Sequence, residues 1–119
     1  MDEYGVGRTF SEIADLLEIK GDNPYRIRAY RRAARALKRF PESIRDLWER
    51  GELQTIPGIG KDLAGKIAEI LTTGRCSYLE ELHGEIPPEL LEFLALPGVG
   101  PKTIRAVYSQ LEITSLKEL

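Results

Sequence analysis

The chain is poor in several things on which whole protein classes depend. Its single cysteine, Cys76, rules out an internal disulfide framework, and with His83 as the only histidine the usual zinc ligand sets cannot be assembled. No apolar run approaches the roughly 20 residues that a membrane-spanning helix needs. The N-terminus, Met1-Asp2-Glu3-Tyr4, is acidic and does not read as a signal peptide. A reducing, cytoplasmic setting with no membrane partner follows as the expectation. Period-2 alternation is not sustained anywhere, so strand signals are missing as well.

An excess of positive charge is also lacking. The 17 Lys and Arg are outnumbered by 19 Asp and Glu, for a net charge of -2. The charges are segregated, however. Arg26, Arg28, Arg31, Arg32, Arg35, Lys38 and Arg39 form a run with no acid inside it, while Glu80, Glu81, Glu85, Glu89 and Glu92 collect elsewhere. A polyanion responds to the local basic surface, not to the sum. At 119 residues and 42% hydrophobic content, the chain suits one small domain, or two very small ones sharing a core.

What is abundant is helix punctuation, and the expectation is an all-α fold. Thr9-Phe10-Ser11-Glu12 has the spacing of a capping box, leading into a helix through Ile13, Leu16 and Leu17 that Gly21 stops. Asn23-Pro24 reads as the cap and first residue of a helix running to about Arg39, with Ile27, Tyr30, Ala34 and Leu37 as its apolar stripe. Pro41 opens a third helix through Ile44, Leu47 and Trp48, closed near Gly51. Further helices are expected over about Lys61–Thr73, from a second capping box Ser77-Tyr78-Leu79-Glu80 through Leu82, from Pro87-Pro88 through Leu94, and over about Pro101–Gln110.

The chain also repeats itself. Thr55-Ile56-Pro57-Gly58-Ile59-Gly60-Lys61 matches Ala95-Leu96-Pro97-Gly98-Val99-Gly100-Pro101, and Ser77–Leu82 pairs with Thr114–Leu119. The second copy stops where a further helix should begin, so a longer parent protein is expected. Each turn reads apolar-Pro-Gly-apolar-Gly and opens directly into a helix. Glycine permits positive φ and close approach, and the first helical amides have no intrahelical partner. The helix dipole adds partial positive charge there, which suits a phosphate. Contact through amides is blind to base sequence. Gly58, Gly60, Gly98 and Gly100, with Lys61 and Lys102 in the helices that follow, are therefore candidate contacts to a nucleic-acid backbone.

Pro57-Gly58-Ile59-Gly60 and Pro97-Gly98-Val99-Gly100 resemble helix-hairpin-helix motifs. Together with Asn23–Ala34 they resemble the N-terminal part of family X DNA polymerases, the DNA polymerase beta family, in its bacterial or archaeal branch. The resemblance runs from about Thr9 to Leu119. It implies two parts: a lyase-type helical domain with the first hairpin over 1–82, and a second hairpin over 83–119 that begins the polymerase fingers. It implies binding of gapped or nicked DNA carrying a 5′-phosphate, in base excision repair, by a nucleoid-associated monomer. It also implies that Arg26, Tyr30 and Arg31 line a 5′-phosphate pocket.

Lys66 matches the family's Schiff-base lysine, whose amine attacks the aldehyde of an incised abasic site so that β-elimination releases the sugar phosphate. No cofactor is expected for this stretch itself. In the family, backbone carbonyls, here those of Gln54, Ile56, Ile59, Leu94, Leu96 and Val99, hold Na+ or K+ at the hairpins, and Mg2+ serves the parent polymerase. Asp62 and Tyr78 stand where beta-type enzymes carry phosphate-binding lysines, and Gly65 where they carry an acid. No Asp-x-Asp pair suited to two-metal nucleotidyl transfer is present, so the chain is not expected to polymerise DNA alone. The alternatives are an active deoxyribose-phosphate lyase and a protein-interaction scaffold.

Overall fold

In a computed structural model, which describes residues 3–118 and the side chains of 5–110, seven α-helices follow one another without a strand among the described residues. They are α1 (Glu3–Lys20), α2 (Pro24–Arg39), α3 (Ile44–Glu49), α4 (Lys61–Thr73), α5 (Ser77–Glu85), α6 (Pro88–Phe93) and α7 (Pro101–Glu118). One 3-10 turn, Leu53–Thr55, precedes α4.

α1 and α2 form an antiparallel pair at the centre. The short connection demands it, and Gly7 of α1 meets Ala34 and Lys38 while Asp15 and Glu18 meet Arg31. Val6, Phe10, Ile13, Leu17 and their neighbours are fully buried, at the spacing of one helical face. From α2 they receive Tyr30, Ala33, Ala34 and Leu37. α3, α4 and α5 close the core with Ile44, Leu47, Ile67, Ile70 and Leu82. α7 lies against α1, and its Ile104 is buried. No helix among the described residues is long and apolar enough to cross a membrane.

The α2 and α4 boundaries agree with the sequence expectation. Asn23 accepts from the Tyr25 amide at 2.8 Å, Pro24 opens α2, and Gly74 ends α4. Several expectations are corrected. Thr9 is not a cap: the chain is already helical at Glu3, and the Thr9 hydroxyl donates to the Gly5 carbonyl at 2.8 Å. Ser77 is not a cap either, since its hydroxyl and amide both donate to Glu69, and Glu80 is taken by Arg75. α5 continues past Leu82 to Glu85. α3 starts after Ser43, which accepts from the Asp46 amide, and not at Pro41. α7 runs beyond Gln110 through Thr114, where the repeat calls for a new helix start. The Thr114-Ser115 side chains and all of Leu119 lie outside the described residues.

Candidate nucleic-acid interface

The two Gly-rich turns have the same backbone, bond for bond. The Thr55 amide donates to Glu52 and the Ala95 amide to Glu92; Ile56 donates to Leu53 and Leu96 to Phe93. The turn is closed by Ile59 to the Ile56 carbonyl (3.0 Å) and by Val99 to the Leu96 carbonyl (3.3 Å). The helix is entered by Ala64 to Gly60 and Ile104 to Gly100. Gly58 sits at φ 86° and Gly98 at φ 81°, the left-handed region that side chains disfavour.

Ile59 is buried and Val99 packs on the edge of the core, so each central residue anchors its turn. No side chain caps the start of α4 at Gly60. Its first amides therefore point out from an exposed turn, with the partial positive charge of a 13-residue helix behind them. Lys61 and Lys102 are exposed beside the turns.

The comparisons with known proteins agree with this geometry. The family described as "Helix-hairpin-helix domain" matches residues 5–76, and "SAM-like Helix-hairpin-helix tandem" matches 90–119. The chain belongs to the helix-hairpin-helix family. It is 38% identical to the DNA polymerase/3'-5' exonuclease PolX of Bacillus subtilis (strain 168), over 99% of this chain and 21% of that protein. It is 32% identical to DNA polymerase lambda of Rattus norvegicus, over 82% of this chain and 16% of the polymerase. Against DNA nucleotidylexotransferase of Oncorhynchus mykiss the identity is 34%, over 76% of this chain and 18% of the relative. The chain thus spans about a fifth of the length of these relatives or less. It is a helix-hairpin-helix region of the family X DNA polymerase type.

Three of the residues singled out in the sequence, Arg26, Tyr30 and Lys66, come together around one cavity. Arg26, Ala29, Tyr30, Asp62, Leu63, Lys66 and Tyr78 line an open cavity of about 330 Å³ between α2, α4 and α5. Tyr30 lies at its floor, 4% exposed, edge-on to Phe10 and stacked on Tyr78 at 6.0 Å. Burial pushes its phenol up to about 12, against a smaller opposing pull from Lys66. Lys66 Nζ lies 5.1 Å from the centre of the Tyr78 ring and donates to both Asp62 oxygens, at 2.9 and 3.1 Å. Burial alone would pull the Lys66 ammonium down. The Asp62 carboxylate and the Tyr30 hydroxyl outweigh it, and the amine ends above its ordinary value.

Not every anticipated residue reaches this pocket. Arg31 turns to the opposite side of α2 and binds Asp15 at 3.0 Å and Glu18 at 2.5 Å, tying α2 to α1. Arg26 does line the cavity, but Asp22 stands 3.5 Å from it. The sequence reading marked Asp62 and Tyr78 only as departures from the beta-type pattern. Their spacing held more: Asp62 and Lys66 are i and i+4 on α4, where opposite charges meet. Of the six hairpin carbonyls, those of Ile56 and Leu96 already accept the turn-closing amides.

Proposed function

We propose that this region grips the sugar-phosphate backbone of DNA without regard to sequence, favouring gapped or nicked duplex with a 5′-phosphate, as part of a family X polymerase acting in DNA repair. The observation that carries the proposal is the bond-for-bond identity of two exposed Pro-Gly-apolar-Gly turns, each leading into a helix. Two matched anion seats on one body suit a regularly spaced polyanion, and the acid-free basic run of α2 supplies salt-dependent affinity beside the first of them. The carbonyls of Gln54, Ile56 and Ile59, and of Leu94, Leu96 and Val99, are candidate oxygen donors for Na+ or K+. The Ile56 and Leu96 oxygens each keep a second lone pair for that purpose.

A binding titration tests the reading: gapped, 5′-phosphorylated DNA against intact duplex, at two salt concentrations. Tighter binding to the gapped form, with affinity falling steeply as salt rises, is the expected result. Equal affinity for both forms would remove the gap preference. Salt-insensitive self-association without DNA binding would support the scaffold instead.

Deoxyribose-phosphate lyase activity is a second reading, favoured by the convergence of Lys66, Tyr30 and Arg26 on one cavity. Its amine must first leave Asp62 and lose a proton before it can attack the sugar aldehyde. Borohydride trapping on an abasic substrate, with Lys66→Ala as control, decides it.

A further inference from the structure

Both cations of the Lys66 cavity are already answered, and by the same device. Asp22 lies four residues before Arg26 and Asp62 four residues before Lys66, so each cation has a carboxylate one turn ahead of it in the chain. The cavity therefore presents little net positive charge to an incoming anion, although both cations line it.

The two acids are not held alike. Asp22 is 23% exposed, and its carboxylate also accepts from the Asn23 amide at 2.6 Å, which fixes it beside Arg26. Asp62 is 80% exposed, and among the described residues its carboxylate bonds Lys66 alone. It also stands in the first turn of α4, where the helix dipole favours a carboxylate whether or not Lys66 is beside it. A pair with one partner so exposed opens at little cost. Lys66 is the reverse: its side chain is 20% exposed and set against the Tyr78 ring, so it stays when the carboxylate leaves.

We infer that Asp62 sets how strongly the cavity tells a 5′-phosphate from a 5′-hydroxyl: its carboxylate holds the Lys66 ammonium in the place of a terminal phosphate and swings out to solvent before that phosphate binds. The inference rests on the 5′-phosphate reading above and adds to it the residue that fixes its selectivity. The two anions compete for one donor. A phosphate gains Lys66 only as Asp62 gives it up, whereas a hydroxyl end brings no charge and leaves the pair closed. Preference for phosphate is thus the difference between two ion pairs, and without the Asp62 carboxylate the first of them is undiminished.

The test measures, by fluorescence anisotropy, the ratio of affinities for gapped duplex ending in a 5′-phosphate and in a 5′-hydroxyl. The ratio cancels the general attraction to DNA that any lost acid adds. Asp62→Asn keeps the shape of the side chain, and circular dichroism checks that the helices persist. Glu81→Gln, at an exposed position that does not line the cavity, is the matched charge control.

The ratio should rise about fivefold in Asp62→Asn, the upper range for one exposed ion pair, and stay within about twofold in Glu81→Gln. In Lys66→Gln the ratio should fall, and adding Asp62→Asn to it should raise it by less than about twofold, because the carboxylate acts through that ammonium. An unchanged or lower ratio in Asp62→Asn overturns the inference, as does an equal gain in Glu81→Gln or a full gain on the Lys66→Gln background. A phosphate preference in the unaltered chain that Asp62→Asn does not increase overturns it while the 5′-phosphate reading stands. Equal affinity for both ends in every variant removes that reading itself.

Discussion

Asp62 and Lys66 stand one turn apart on α4, and their pairing decides what the cavity beside them can do. A Schiff-base nucleophile needs a free amine, yet Asp62 and Tyr30 hold the Lys66 amine above the ordinary lysine value of 10.5. At pH 7.5 fewer than about one molecule in a thousand then carries the nucleophilic form. Asp62→Asn removes the largest interaction that favours the charged form and leaves burial, which acts the other way. Borohydride trapping at neutral pH should therefore rise in Asp62→Asn, and trapping by the unaltered chain should climb about tenfold per pH unit up to pH 10. A trapping rate that is flat in pH, or lower in Asp62→Asn, would show that Lys66 is not the amine involved. The same shift has a sign for stability. The folded state favours the Lys66 ammonium, so that contribution is complete below pH 10.5 and is lost as pH rises through the higher folded value. Its size is small, because Asp62 is 80% exposed and water screens the pair.

At the scale of elements, caps and turns were legible where a residue type has one use, and misleading where it has two. Asn23-Pro24 and Gly74 mark helix ends because Pro lacks the amide a helix interior needs, and Gly alone takes the left-handed end cheaply. Asn23→Ala should cost about 1 kcal/mol in urea unfolding, since it strands the Tyr25 amide. A much smaller loss would mean that Pro24 alone sets this boundary. Thr-x-x-Glu and Ser-x-x-Glu are ambiguous: a hydroxyl can equally bond the carbonyl one turn back, as Thr9 does to Gly5. Nothing local forbids the misreading. The early turns of α1 are helical because Val6 and Phe10 have a core to enter, which is tertiary information.

The hairpins were legible because both copies solve the same backbone problem at Gly58 and Gly98. Gly58→Val and Gly98→Val should each weaken DNA binding across all sequences alike, because a β-branched residue at positive φ carries about 1–2 kcal/mol of strain into the turn. Loss confined to particular base sequences would point to base readout instead. The fate of Arg31 was not legible. Its two carboxylate partners lie on another helix, and only the antiparallel pairing of α1 and α2 brings them near.

For the whole molecule, the question is whether the two hairpins act as one instrument. The first is braced from within: Ile56 is 1% exposed and Ile59 is buried beneath the turn. The second is braced less, through Val99 at the edge of the core, since the matching Leu96 is 49% exposed. Its orientation depends instead on α7 lying along α1. There Arg105 donates to the Ile19 and Lys20 carbonyls at 3.3 and 3.0 Å, closing the C-terminal end of α1. A side chain on Gly21 would stand 2.6 Å from that guanidinium, so the glycine leaves the room the contact requires. Lys20–Glu85 and His83–Glu12 pin α5 to the same helix.

Under the proposed function, rigid linkage would make the second hairpin's backbone contact intramolecular, which raises affinity without a new contact. Arg105→Ala leaves both turns intact and should cost about 1–2 kcal/mol of stability through the lost charged hydrogen bonds. Hydrogen exchange in α7 should increase. Binding to nicked duplex should fall, and Gly98→Val added to Arg105→Ala should weaken it by less than Gly98→Val does alone, because the second hairpin is then already uncoupled. If the two losses simply add in free energy, each hairpin reaches the backbone on its own, and Arg105 contributes only to the packing of α7.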